Sequence, residues 1–211
     1  MPLRNRVTPF GEIVAVAARG TLMGNRGVLH DAEGKVVRDW QVRRWIACRL
    51  QFRGRHRDVM TPGAYTELFF LDEATALADG HRPCAECRHV DYLQFQAAWR
   101  RAHPGMPASA AVMDTALHTE RRVRPWHKRT HQAGIEFLPD GSLAALDGVA
   151  WLVHGGQLYA WSADGYVESR PRPASAEVAV LTPPSILAVL RAGYRPGVHP
   201  SVRLRWQPPG C

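Results

Sequence analysis

Two cysteines, Cys84 and Cys87, lie two residues apart, and Pro83 stiffens the approach to them. This spacing lets both thiolates reach one Zn²⁺ from a single turn, at a Zn–S distance of about 2.3 Å. A redox dithiol and a pair of packed cysteines are the alternatives. A thioredoxin-like dithiol is expected between a strand and a helix of a βαβ unit. Because a helix and a loop precede this motif, the pattern favours a structural metal site.

Cys48 is the candidate for a third ligand, on a predicted strand well upstream of the pair. A single cysteine on a strand is more often a packing residue, so its own position does not decide its role. The fourth ligand is open between His56, His81, His89 and no histidine. His81 is favoured because it lies three residues before Cys84.

A longer pattern surrounds these cysteines in residues 45–88. It consists of a strand, a short alanine-rich helix, a glycine turn and an R-P-C-x-x-C knuckle. The segment resembles the zinc-binding domain at the N-terminus of Ada-type methylphosphotriester DNA repair proteins, and it covers about a fifth of the chain. The matching positions are Ala76, Leu77, Ala78, Gly80, Arg82, Pro83, Cys84 and Cys87.

The resemblance places Cys48 at the first cysteine of that family's C-x3-C pair and Phe52 at the second. The family holds zinc with four thiolates, one of which accepts a methyl group from DNA phosphate, and its domain binds DNA. The resemblance therefore implies a structural zinc site through Cys48, Cys84 and Cys87 and a DNA partner. Since Phe52 replaces a thiolate, methyl transfer is not expected, and the fourth zinc ligand must be another group.

A second set of polar groups falls within residues 113–132. On a helix, Asp114 and His118 share a face, so the carboxylate would orient the imidazole. With Glu120 and Lys128 nearby, such groups suit hydrolysis of phosphodiester or glycosidic bonds, with or without a second, catalytic divalent metal. The alternative is a solvated helix face, since no HEXXH, GxSxG or P-loop motif accompanies these residues.

Arginines are concentrated in two stretches of this basic chain, residues 41–57 and 118–131. The formal net charge of the chain is +8. Such a surface predicts a polyanionic partner, DNA or RNA, held by phosphate contacts that give affinity without sequence specificity. A GC-rich genome also enriches arginine, and charge runs are often solvated faces. The predicted nucleic-acid contacts are Arg43, Arg44, Arg49, Arg53, Arg55, Arg57, Arg121 and Arg122. Trp126 is a further candidate, for stacking on a base, with a place in the core as its alternative.

The elements that position these groups divide the chain into two kinds of pattern. Residues 1–103 contain short strands, two helices and the knuckle, with residues 20–27 read as a glycine-bearing turn. In residues 104–211 short strands, one of them at 135–138, alternate with Asp-Gly and Gly-Gly turns, which is a β-meander pattern. We predict an α+β fold with a zinc-stapled N-terminal part and a β-meander-rich C-terminal part, or one continuous domain.

Composition restricts the setting further. The chain contains no apolar run of about 18 residues and no apolar segment typical of a secretory signal, so a cytoplasmic protein without a membrane partner is predicted. The resulting hypothesis is a zinc-containing nucleic-acid-binding protein that acts as an enzyme on DNA in repair or defence. The alternatives are a non-catalytic zinc-stapled DNA-binding regulator and a small-molecule enzyme with no nucleic-acid role.

Overall fold

The computed structural model describes residues 1–54 and 58–205 of the chain. The fold is α+β, as the sequence predicts. Within the described residues, two six-stranded sheets, one two-stranded ribbon and five α-helices pack together. None of these helices combines the length and apolar character needed to cross a bilayer.

The N-terminal sheet brings the three cysteine-bearing segments together. Its strands are β1 (Arg4–Val7), β2 (Ile13–Ala15), β3 (Leu22–Asn25), β4 (Ile46–Arg49), β5 (Leu68–Phe70) and β6 (Arg82–Pro83). Their order across the sheet is β2-β1-β5-β3-β4-β6. β4 runs antiparallel to β3 and parallel to β6, so that Ala47 lies opposite Pro83. This register sets Cys48 beside the chain that enters the knuckle.

β3 lies in the segment predicted as a turn, and that prediction was wrong. The strand pairs with β4 on one side and with β5 on the other. Gly24 allows the Phe70 ring to pack closely against the middle of the sheet, because a Cβ atom at this position would lie 2.3 Å from a ring carbon of Phe70. A glycine in a strand often marks such a close approach, which a local reading of the sequence mistakes for a turn.

The five helices of the described residues pack against the sheets and against one another. They are α1 (Glu73–Ala78), α2 (His89–Ala102), α3 (Ala110–Arg121), α4 (Pro184–Arg191) and α5 (Ser201–Arg205). Asp72 caps α1 by accepting a hydrogen bond from the Thr75 N–H at 2.8 Å. α2 and α3 pack on α4 through a hydrophobic cluster that includes Phe95, Leu117 and Ile186. This cluster contains residues from both predicted parts of the chain, 1–103 and 104–211.

The second sheet is the predicted meander. After the ribbon of β7 (Arg122–Arg124) and β8 (His127–Lys128), it contains β9 (His131–Gly134), β10 (Leu143–Leu146), β11 (Val149–His154), β12 (Gln157–Ser162), β13 (Gly165–Pro171) and β14 (Glu177–Val180). All its pairs are antiparallel, in the order β13-β12-β11-β10-β14-β9. Asp147 and Gly148, with φ of 54° and 77°, connect β10 to β11 as the Asp-Gly signal predicts.

One predicted strand of the meander is a 3₁₀ helix, Ile135–Phe137. Ile135 and Leu138 are both buried, and they are three residues apart, which matches the period of a 3₁₀ turn. Ile135, Glu136 and Phe137 alternate apolar, charged and apolar, which is also compatible with a strand, and so short a segment does not distinguish the two conformations.

Candidate metal centre

Three buried cysteines form a cluster at the edge of the N-terminal sheet. The sulfur atoms of Cys48, Cys84 and Cys87 all lie within 4.8 Å of one another. Cys48 lies on β4, Cys84 directly follows β6, and Cys87 precedes α2. This is the one such group of His, Cys, Asp or Glu within residues 1–54 and 58–205. Three thiolates at this separation can hold a metal ion.

Hydrogen bonds prepare these sulfur atoms to bind a cation. The Cys48 thiol hydrogen-bonds to Cys84, which lowers the pKa of Cys84 to about 5 and raises that of Cys48. Backbone N–H groups of Cys87 and Glu86 also donate to the Cys84 sulfur, and the Arg49 N–H donates to Cys87. A lowered thiol pKa favours the thiolate, which is the form that binds metals.

The predicted fourth ligand, His81, lies elsewhere in the structure. Its fully buried ring packs between Trp45 and Phe70, and its Nδ1 is 3.2 Å from Asp79 Oδ2. His81 is therefore not among the donor atoms clustered with Cys84. His89 is exposed and its Nδ1 lies 3.0 Å from the Ala85 carbonyl oxygen. His56 lies outside the described residues.

The cysteine cluster lies on the wall of a cavity of about 780 Å³, which we call the metal cavity. Aromatic side chains on other walls belong to Phe52, Tyr65 and Phe69, and the polar lining includes Asn25, Arg49 and Glu67. Glu67 is buried and accepts a hydrogen bond from the Met60 N–H at 2.8 Å. The cavity gives a solvent molecule or a ligand access to an ion held by the three thiolates.

Asp114, predicted as a catalytic group that orients His118, instead holds Arg82 of the knuckle. The buried carboxylate accepts hydrogen bonds from Arg82 Nε at 2.9 Å and from Nη2 at 2.8 Å. Arg82 Nη1 in turn donates to the Pro83 carbonyl oxygen at 3.1 Å. Asp114 therefore fixes α3 to the segment that carries Cys84.

The other predicted catalytic residues have separate partners. The His118 ring stands edge-on to Trp40 with the centroids 4.6 Å apart, and burial lowers its pKa. Glu120 accepts hydrogen bonds from Ser185 N and Oγ, at 2.9 and 2.6 Å, where α4 begins. Lys128 donates to the Ala78 carbonyl oxygen, and enclosure of its ammonium group lowers its pKa to about 7. These groups and Asp114 are not assembled around one point.

The predicted nucleic-acid contacts separate into exposed and buried arginines. Arg43, Arg44, Arg49 and Arg53 are exposed, and Arg49 also lines the metal cavity. Arg121 and Arg122 are buried, so the prediction that they contact phosphate is corrected. Arg55 and Arg57 lie outside the described residues.

The two buried arginines belong to a charged cluster around Trp45 that the sequence analysis missed. Guanidinium carbons of Arg121 and Arg26 lie 4.0 and 4.2 Å from the centre of the Trp45 ring. Arg26 pairs with the buried Asp79 carboxylate, and Arg122 Nε lies 3.2 Å from Asp39. These residues come from four distant segments, so no local spacing indicated that they would meet.

The buried His81 should make the protein less stable as the pH falls from 7 to 4. Burial lowers the pKa of His81 to about 3, so at intermediate pH the unfolded chain binds a proton that the folded chain does not. This contribution is fully present above the unfolded pKa of about 6.5 and is lost as the pH falls toward the folded value. We expect the free energy of unfolding, from urea titrations, to fall less steeply with pH in His81→Asn than in the wild type.

The matched control is His127→Asn, which alters an exposed histidine on the ribbon. Its pH slope should match that of the wild type. Identical slopes for the wild type and His81→Asn would show that His81 does not contribute to the acid sensitivity of the fold.

Comparison of the chain with protein-family models, with curated proteins and with solved structures finds no match.

Proposed function

We propose that this chain is a zinc-containing protein that binds nucleic acid and acts on it at the metal cavity. One observation carries the proposal. The cavity wall contains both the three clustered cysteines and Arg49, which is one of the exposed arginines. A cation-binding centre and a phosphate-binding group therefore face the same space.

Zinc is the ion that best fits the donor set. Thiolate-rich sites with tetrahedral geometry are typical of zinc, and the CxxC spacing is that of a zinc knuckle. The resemblance of residues 45–88 to the zinc domain of Ada-type repair proteins supports the same ion and a DNA partner. The fourth position would be occupied by a group that enters through the cavity or by a residue outside the described part.

The exposed arginines support a polyanionic partner. Among residues 1–54 and 58–205, no acidic side chain forms an ion pair with Arg43, Arg44, Arg49 or Arg53. The Arg53 guanidinium lies 5.0 Å from the centre of the Phe52 ring, and Phe52 lines the metal cavity. Unpaired cations beside an aromatic wall suit a phosphate backbone and a base.

The lining of the cavity also contains a buried carboxylate, that of Glu67. A zinc ion with an exchangeable position would supply a water molecule of lowered pKa. Glu67 is a buried carboxylate on the cavity wall and is the candidate general base, in place of Asp114. Hydrolysis of a phosphodiester or glycosidic bond in DNA is the reaction class that we propose. The non-catalytic regulator is the second candidate, favoured by the structural partners of Asp114, Glu120 and Lys128.

Binding to DNA should depend on the exposed arginines and on salt. We expect fluorescence anisotropy with a labelled oligonucleotide to show a steep loss of affinity as salt rises. A triple variant with Arg43, Arg44 and Arg49 changed to alanine should lower the slope of log K against log[salt] by about 2–3, with a similar loss for every sequence.

The control is a triple variant of equal charge, in which the exposed Arg19, Arg100 and Arg203 become alanine. If both triple variants lose affinity equally, net charge alone explains binding and the surface is not a site. If the wild type does not bind at low salt, the nucleic-acid role is wrong. Denaturing gels of the same DNA, before and after alkali, distinguish a hydrolase, which yields new bands, from a regulator.

A further inference from the structure

We propose that the β7–β8 ribbon is a stacking element for an unpaired nucleobase, with Trp126 as the platform. This inference rests on the proposed nucleic-acid function and assigns a second contact to it, distinct from the metal cavity. The partner class is single-stranded nucleic acid, or a strand with a displaced base.

Trp126 occupies the turn of the ribbon in an unusual conformation. Its backbone φ is 65°, in the left-handed region that normally favours glycine, and its side chain is 47% exposed. A tryptophan there has a conformational cost that glycine would avoid, and it leaves a large apolar ring in solvent. Non-glycine residues held at such angles concentrate at ligand-binding sites.

Contacts at the turn and on both strands hold the ribbon, so the ring is presented on an ordered support. The Trp126 N–H donates to Asp39 Oδ2 at 2.8 Å, and Arg122 Nε contacts the same carboxylate oxygen at 3.2 Å. Lys128 donates to the Ala78 carbonyl oxygen from the other strand. Because the turn is already ordered, stacking a base on the ring requires little further loss of conformational freedom.

The surroundings of the ring are cationic. Arg124 and Arg129 are exposed on the ribbon and directly after it. Arg121, immediately before the ribbon, donates to the carbonyl oxygen of Arg43. The start of the ribbon therefore adjoins the segment that carries the exposed Arg43 and Arg44.

Charge complementarity favours a nucleic acid as the occupant, and the exposed Trp126 ring favours an unpaired base. Every unpaired base offers a π-face for stacking, whereas bases inside a duplex are already stacked on each other. A membrane-binding element would present a continuous apolar face. Here the exposed Val123 and Trp126 are separated by Arg124 and followed by His127.

The test compares Trp126→Gly with Trp126→Phe in anisotropy titrations of single-stranded and duplex oligonucleotides. Since stacking contributes about 1–3 kcal/mol per base, Trp126→Gly should weaken single-strand binding by about tenfold. Trp126→Phe should recover most of that affinity. Duplex affinity and the salt slope should stay unchanged, because no phosphate contact is removed. The Tm of Trp126→Gly should equal or exceed that of the wild type, because glycine relieves the positive φ.

The matched control is Phe137→Ala, which removes another exposed aromatic side chain, 69% exposed, and should leave single-strand affinity unchanged. Unchanged single-strand affinity in Trp126→Gly, alongside arginine-dependent binding, would overturn this inference and leave the proposed function intact. Absence of wild-type binding to any oligonucleotide would overturn both. Trp126-dependent binding to phosphatidylserine vesicles, without a change in single-strand affinity, would identify a membrane contact and overturn the proposal.

Discussion

With zinc held as proposed by Cys48, Cys84 and Cys87, replacing Cys84 with serine should release the metal and unfold the sheet edge around it. Cys84 lies between β6 and α2, and an ion held with Cys48 and Cys87 would tie these elements to β4. Metal binding to such a site contributes directly to folding free energy, about 10–16 kcal/mol in small zinc-finger peptides. Metal analysis of the purified protein should show the zinc-to-protein ratio falling from about one toward zero.

The hydrophobic cluster of the N-terminal sheet limits how far the unfolding spreads. Val7, Leu29, Leu68 and Phe70 are buried in it and do not depend on the metal. We expect hydrogen exchange to increase most in β4, β6 and the start of α2, with the second sheet still protected.

The control for this experiment is Ala85→Ser, which places a serine at an exposed position of the same turn. It should retain the full complement of zinc and the wild-type Tm. Removal of metal from the wild type by a chelator should reproduce the behaviour of Cys84→Ser. Full zinc occupancy and unchanged exchange in Cys84→Ser would rule out the three-cysteine site.

Asp114→Asn should destabilise the fold by about 3–5 kcal/mol, because it leaves the buried Arg82 guanidinium without its counter-ion. Only 2% of the Arg82 side chain and 9% of the Asp114 side chain are exposed. The asparagine amide fits the same space but can accept only one of the two hydrogen bonds. Urea unfolding should detect the loss, and zinc affinity should fall with it, since Arg82 directly precedes the knuckle.

A double variant separates the structural role of the Arg82–Asp114 pair from a catalytic role for Asp114. Arg82→Met combined with Asp114→Leu removes both charges, and it should be more stable than Asp114→Asn alone. Asp164→Asn, in an exposed turn, is the control and should change stability by less than about 0.5 kcal/mol. A stable Asp114→Asn protein that had lost activity on DNA would instead show that Asp114 acts on the substrate.

Local chemistry was sufficient to predict several elements and part of the site. The Asp-Gly turn at Asp147 depends on neighbours a few residues away. The cysteines of the knuckle are also local, and their two-residue spacing was sufficient to mark them. Cys48 required a resemblance, because its approach to Cys84 depends on strand pairing.

Long-range packing decided what local patterns could not. Gly24 is a glycine because the Phe70 ring approaches the strand, and nothing near Gly24 in the sequence indicates that contact. Asp114 and His118 do share helical spacing, but Arg82 occupies the carboxylate across the fold. Arg121 and Arg122 belonged to a charged run that looks solvated, yet Trp45, Asp39 and Asp79 enclose them.

The sequence by itself therefore determined the α+β class, the meander turns and the presence of a thiol pair suited to zinc. These properties follow from residue type and spacing, which act over one turn of chain. The tertiary structure alone decided that the three-thiol cluster lies on a cavity wall, that His81 is excluded from it, and which arginines are exposed. Those outcomes depend on strand register and on the burial of charge against partners tens of residues away, and no local pattern encodes them.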